Sequence, residues 1–280
     1  MLRDSSLAIV AVLASCGGPL SQRSHAETSG EIAVGAAITK VRIEIENGRV
    51  DITPSAAAGT VAFVGGIRRA ADTPEQLAVL EQVPFGLTGA PDPADPTTLV
   101  IRGPRRPAEL PGAVFAVEAN VRVPPELPLE LTIEANGDVI VVDRRAPTRV
   151  ATGRGDLRFE NCAGGVVATT GRGVLIAFGH RGDLDVQTKT GDMQAFVVEP
   201  GERIQLVTGQ GTVQCQVNPA VEFDLDARAE IGKSGNGFGL EPQPGHGYSA
   251  ALVGKRGSAR TKVVLRTGSG HLSFAPLRSP

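Results

Sequence analysis

Five glycines frame this chain. Gly137, Gly155, Gly173, Gly191 and Gly211 follow one another at intervals of 18, 18, 18 and 20 residues. Each opens a similar phrase: Gly137-Asp-Val-Ile-Val, Gly155-Asp-Leu-Arg-Phe, Gly173-Val-Leu-Ile-Ala, Gly191-Asp-Met-Gln-Ala and Gly211-Thr-Val-Gln-Cys. The second and fourth residues after each glycine are apolar, and alternation of that kind places them on one face of a strand. Counting back seven, five and three residues from a glycine gives a second alternating trio, such as Leu184, Val186, Thr188 or Ile204, Leu206, Thr208. Each period therefore holds two short strands and a corner. Neither strand can bury its apolar face alone. Stacking successive periods about 4.8 Å apart pairs the backbone groups and closes a continuous core. The expectation is an all-β, single-stranded β-solenoid (β-helix) of about 18-residue coils. Thr152, Thr170, Thr188 and Thr208 should form a column, and the corner glycines should take positive φ where a Cβ would clash.

The termini and the flanking segments divide the chain further. Leu7 to Ala14 is an apolar run too short to span a membrane and of the right size for a secretory signal. Leu13-Ala14-Ser15-Cys16 resembles a bacterial lipobox, which implies cleavage before Cys16 and acylation of that residue. An ordinary signal peptide with a chance cysteine is the alternative. The division expected is a signal peptide over residues 1–15, a flexible tether over 16–37, and an N-terminal β-rich capping module over 38–128. The solenoid follows over 129–275, with a tail over 276–280. Within the module, Asn47-Gly48 reads as a tight turn between two strands. Thr73-Pro74-Glu75-Gln76 is a helix start with Pro at its first position, so the spacing predicts a helix over Pro74–Gln82. Beyond Gly211 the rhythm loosens, Ile231–Gly247 reads as a glycine-rich loop, and residues 262–274 form the last coil. The remaining cysteines, Cys162 and Cys215, fall about three coils apart, too far for a disulfide.

Composition restricts function. Net charge is −2, which leaves no basic footprint for nucleic acid. With no Trp and one Tyr, the chain has few aromatic platforms for bases or sugars.

In its order of motifs the chain resembles the bacterial putative-adhesin β-repeat family. The matching residues are Val41-Arg-Ile-Glu-Ile-Glu-Asn-Gly-Arg-Val-Asp-Ile52, Val121-Arg-Val-Pro124, Ile133-Glu-Ala-Asn-Gly-Asp-Val139 and the Thr-x-x-Gly corners at Thr152, Thr170 and Thr188. The exit matches as Val264-Leu-Arg-Thr-Gly-Ser-Gly-His-Leu272. The resemblance covers about residues 38–275 and implies a β-solenoid domain of the envelope with no assigned function and no established catalytic residues; no cofactor is expected.

The candidate chemistry is sparse. The aspartates at the corners, Asp138, Asp156, Asp183 and Asp192, read as turn residues rather than a calcium row, because Val174 and Thr212 interrupt the column. His180 with Asp183 and Asp185 is the one acid–base neighbourhood, and 18-residue coils leave little chain to build a cleft around it. Arg154-Gly155-Asp156 and Arg181-Gly182-Asp183 are corner chemistry, and Gly232-Lys233-Ser234 lacks the first glycine of a phosphate loop. No catalytic residue and no metal site is assigned. The outward feature is apolar: Ile140, Ile176, Phe178 and Phe196 fall at odd offsets from their glycines and should point away from the interior. Cover by the N-terminal module is the plainer explanation, and a partner-facing patch is the other.

The leading reading is a non-catalytic binding, adhesion or structural module. It would be exported and held at the cell envelope by lipid on Cys16, at the outer membrane in a host with two membranes. Its partner would be an envelope protein or a glycan, not nucleic acid. A carbohydrate-active enzyme on a β-helix and an envelope sensor or scaffold are the alternatives.

Overall fold

The computed structural model describes residues 11–12, 22–55, 59–84, 86–110, 112–241 and 247–277. The signal segment beyond Ala11–Val12, Cys16 and residues 278–280 lie outside them. The chain is all-β, with 66% of the described residues in strands and 4% in helix, far from the mixture of an average domain. It divides into two compact units between Val139 and Ile140.

The first unit runs β1 (Ala11–Val12), β2 (Gln22–Ala33), β3 (Lys40–Ile45), β4 (Gly48–Pro54), β5 (Thr60–Ala71), α1 (Pro74–Gln82), β6 (Thr88–Pro91), β7 (Thr98–Arg102), β8 (Val114–Val123) and β9 (Leu129–Asn136). Val41, Ile43 and Ile45 alternate inward on β3 and are fully buried. β3 lies between β7 and β9, parallel to both. β4 pairs parallel with β8, and β5 runs antiparallel to both β2 and β8. Asn47-Gly48 therefore does not close the hairpin expected of a tight turn, because the strands it joins pair with different partners. Gly48 has φ 142°, and a Cβ there would sit 1.8 Å from the Val117 carbonyl of β8. The corner is a close approach of backbones that only glycine permits. α1 begins as the sequence predicts: Thr73 caps it, with Oγ1 accepting from the Gln76 amide at 3.3 Å. Leu77 and Leu80, three residues apart, bury against Ile67 and Phe115.

The flexible tether expected over residues 16–37 needs correction. Residues 22–33 form β2, paired along its length with β5 from Gln22↔Ala71 to Ala33↔Thr60. The segment is small and polar, so its side chains carry no strand signal. Backbone pairing along β5 orders it instead.

The second unit begins as β10 (Val139–Val142) crosses the division. It continues with β11 (Thr148–Arg154), β12 (Leu157–Glu160), β13 (Val166–Arg172), β14 (Leu175–Thr190), β15 (Met193–Gln210), β16 (Val213–Val217), β17 (Phe223–Asn236), β18 (Ala250–Arg256) and β19 (Thr261–Pro276). Its ladders are parallel and step by the glycine period: Val150↔Ala168, Leu157↔Leu175, Ala168↔Val186 and Leu175↔Met193 are each 18 residues apart. Leu184↔Ile204 and Met193↔Val213 step by 20, following the longer interval before Gly211. The apolar alternates Leu157, Leu175, Met193 and Val213 line the core and are at most 1% exposed.

The corners explain the residue types. Gly173 has φ 153°, and a Cβ on it would meet the Gly155 carbonyl at 1.9 Å. The buried threonine hydroxyls of the column cap the corners. Thr170 Oγ1 donates to the carbonyls of Gly155 (3.3 Å) and Arg172 (3.2 Å), and Thr208 Oγ1 to those of Gly191 and Gln210 (both 3.1 Å). The threonines thus bond corner carbonyls rather than one another. Asp156 Oδ1 accepts from the Val174 amide and Asp192 Oδ1 from the Thr212 amide, both at 2.7 Å, so these carboxylates tie each row to the next.

Beyond Gly211 the order in space departs from the order in the chain. β19 pairs parallel with β15 and β16 on one side (Ile204↔Val263, Val213↔Leu272) and with β17 on the other (Leu225↔Val263). The last strand is therefore internal, and β17, earlier in the chain, lies outside it with β18 folded antiparallel against its first half. Ile231–Asn236, expected as loop, continues β17 as strand opposite Ser269–Phe274. Pairing also runs into the expected tail, where the Leu277 amide donates to the Val217 carbonyl at 2.8 Å. Phe223, Phe238 and Phe274 pack together there, with ring centroids 4.9–5.1 Å apart.

Candidate interaction surface

Period two aims alternate residues of β14 and β15 away from the core. On β14 these are Val174, just before the strand, then Ile176 and Phe178. In the ladder to β15, Ile176 faces Gln194 and Phe178 faces Phe196. The Phe178 and Phe196 rings lie 5.7 Å apart at an interplanar angle of 56°, a tilted aromatic pair. Phe178 is 57% exposed, and Val174 and Val198 are each 37% exposed. Ile176 and Phe196 are half-buried.

Of the four outward residues expected from the sequence, the ladder brings Ile176, Phe178 and Phe196 together. Ile140 stands apart. Arg158 and Glu160 of β12 lie opposite Ile176 and Phe178, and they pair with each other through Arg158 Nε and Glu160 Oε1. β10, which carries Ile140, pairs with the other side of β12. On the far side of the pair, Gln214 and Gln216 of β16 face Gln194 and Phe196. The patch is thus a short apolar strip bounded by an ion pair on one side and amides on the other. Val174 and Val198, one residue after Gly173 and seven after Gly191, are also at odd offsets and exposed, though they were not among the four residues expected.

The acid–base neighbourhood around His180 does not assemble. The imidazole is fully buried, and its Nε2 lies 2.9 Å from the backbone carbonyl of Asp183, not from a carboxylate. Burial pushes its pKa below the ordinary histidine value. Asp183 Oδ1 accepts from the Arg203 amide at 3.0 Å, and Asp185 Oδ1 accepts from Gln205 Nε2 at 3.2 Å. Neither carboxylate is placed to share a proton with the ring. In both Arg-Gly-Asp corners the aspartate is spent on a backbone amide of the following row. Gly232-Lys233-Ser234 lies within β17 rather than in a loop. Among the described residues no group of three or more His, Cys, Asp or Glu side chains could hold a metal ion. Cys162 and Cys215 are buried free thiols, with burial pushing their pKa up to about 11 and about 12.

One feature escaped the sequence reading. Arg144, Cys162 and His180 are 18 residues apart and at most 1% exposed, a polar column within an apolar core. Their spacing carries the same period as the glycines, so the signal was present.

No family model matches the chain, and no curated protein matches it. Solved structures similar to it include a putative cell adhesion protein from Clostridium sporogenes, at 11% identity and a TM-score of 0.34, covering 90% of this chain and 99% of the other. A putative adhesin from Bacteroides fragilis is 8% identical with a TM-score of 0.29, covering 90% and 97%. A putative lipid binding protein from Parabacteroides distasonis is 10% identical with a TM-score of 0.22, over the same shares.

Proposed function

We propose that this protein is a non-catalytic binding module, built on a β-solenoid and held at the cell envelope by lipid on Cys16. Parallel ladders stepping by 18 residues, with a glycine, a threonine and an aspartate closing the corners, support the solenoid reading. The observation that carries the binding reading is the exposed strip around Phe178 and Phe196. Two phenylalanines side by side on the outer face of a ladder add nothing to the core, and apolar patches on such faces commonly mark interaction sites. A protein partner suits the strip better than a sugar, because the tilted rings do not present one flat face for stacking. The module is exported through residues 1–15, and in a host with two membranes the outer membrane is its site.

Two experiments test this. Palmitate labelling and membrane fractionation of the wild type and Cys16→Ala should show label and membrane retention lost together in the variant. A wild type that carries no lipid and appears in the medium removes the anchor. Photo-cross-linking in intact cells from a benzophenone side chain at position 178 should give a discrete protein adduct, and the same group at position 149 should not. Equal adducts from both positions, or none from position 178, refute binding at the strip. Capture of polysaccharide instead transfers the reading to a glycan.

A further inference from the structure

We propose that the column of Arg144, Cys162 and His180 is an acid-sensitive latch, in which a proton gained by His180 opens the adjoining corner of the second unit. The latch is independent of what the outer strip binds.

The three side chains occupy consecutive rows. The Ala163 amide donates to the Arg144 carbonyl at 2.6 Å and the Arg181 amide to the Cys162 carbonyl at 2.8 Å, so each residue faces the next across one strand spacing. Arg144, Cys162 and His180 are 0%, 1% and 0% exposed. Val197 follows opposite His180 and is equally buried. A guanidinium, a thiol and an imidazole thus lie in line where other inward positions hold Val, Leu or Ala.

The imidazole is committed on one side only. Nε2 as donor to the Asp183 carbonyl sets the tautomer and leaves Nδ1 as the bare nitrogen. Nδ1 is buried and has no hydrogen-bond partner. A proton arriving there would need an acceptor and would place a cation in the core, two rows from the permanent charge of Arg144.

The carbonyls of Asp183, Gly182 and Cys162 and the Asp183 carboxylate offset that charge only in part, and burial outweighs them. On its own strand the near carboxylate is Asp183, which is exposed and already accepts the Arg203 amide. From the preceding row comes the Cys162 thiol, held protonated by burial, with Asp143 and Arg144 beyond it. From the following row comes Val197, and Arg181 and its ladder neighbour Glu199 are exposed at the surface.

The ladder is also irregular here. Its register shifts at Phe178/His180, His180/Arg181 and Gly182/Leu184, and Gly179 and Gly182 have φ of 65° and 95°. Opening between residues 179 and 183 starts where the pairing is already irregular.

Hydrogen exchange of the full chain, followed by mass spectrometry from about pH 7.5 to 5 and corrected for intrinsic exchange, tests the latch. Peptides covering residues 161–165 and 178–183 should lose protection at least about tenfold as pH falls below the ordinary histidine range. Peptides covering residues 204–217 should keep theirs. His180→Gln, which cannot titrate, should flatten the response. Imidazole NMR of the wild type gives a second readout that needs no variant. The His180 resonance should titrate below the ordinary histidine value and in step with the loss of protection. Constant protection across the range, the same loss in His180→Gln, or a His180 that titrates while protection holds would overturn the proposal.

Discussion

Gly191→Ala should be among the most damaging single-methyl additions this chain can receive. Gly191 has φ 147°, and an added Cβ would lie 1.8 Å from the Gly173 carbonyl, where real Cβ atoms stay beyond 3.0 Å. The atom it meets is backbone in the neighbouring row, so no side chain can swing aside. Relief requires the two rows to part by roughly 1.2 Å. That separation endangers the bonds from the Gly173 amide to the Thr190 carbonyl (3.0 Å) and from the Leu175 amide to the Asp192 carbonyl (2.9 Å). Backbone strain at such φ costs about 1–3 kcal/mol for a residue with a Cβ. Two weakened hydrogen bonds add about 0.5–1.5 kcal/mol each. The expected loss is about 2–6 kcal/mol, which exceeds the effect of most surface substitutions several-fold. Gly35→Ala is the control, because a Cβ there meets nothing within 4 Å. Urea unfolding followed by far-UV circular dichroism measures both. If Gly191→Ala unfolds within about 1 kcal/mol of the wild type, steric exclusion at the corner is not what the glycine period records.

Thr208→Val keeps the shape but removes the hydroxyl that serves the Gly191 and Gln210 carbonyls. It should cost about 1 kcal/mol in urea unfolding, while Thr169→Val on the exposed face should cost nothing measurable. Burial alone would raise the pKa of Asp226, yet hydrogen bonds from Arg266 and Arg228 outweigh it and hold the carboxyl below its ordinary value. A carboxylate whose pKa is lowered on folding stabilises above its unfolded value. The stability lost in Asp226→Asn should therefore be full above about pH 4 and should shrink as acid protonates the wild type. A gap independent of pH would contradict this. Native protein at about pH 8 should leave Cys162 and Cys215 unmodified by iodoacetamide, and guanidinium should expose both. Rapid native labelling of Cys215 would show that the core opens. Phe178→Ser should leave the unfolding midpoint nearly unchanged, because that ring is 57% exposed, and a large loss would mean it packs as core.

Local physics was legible in the sequence wherever a residue type answers to a backbone demand. The glycine period, the inward alternation and the 18-residue step of the ladders belong together, because each period places the same backbone over itself. Thr73 and Pro74 announced α1 for a similarly local reason: the cap and the fixed φ act within one turn. Tertiary structure decided the rest. Nothing in residues 22–33 announces a strand, since β2 exists through backbone pairing with β5. Odd offsets point Ile140 and Phe178 outward alike, but only the ladder shows Arg158 and Glu160 lying beside Ile176 and Phe178 and leaving Ile140 apart. After Gly211 the interval to the next paired row jumps, with Ile204 facing Val263. Once the period is broken, spacing no longer names a partner. β17 and β19 carry similar alternation, and either could have followed β15 and β16. The pairing across distant parts of the chain placed β19 between them, because a strand's backbone groups are satisfied by whichever compatible edge reaches them in space, whatever their order in the chain.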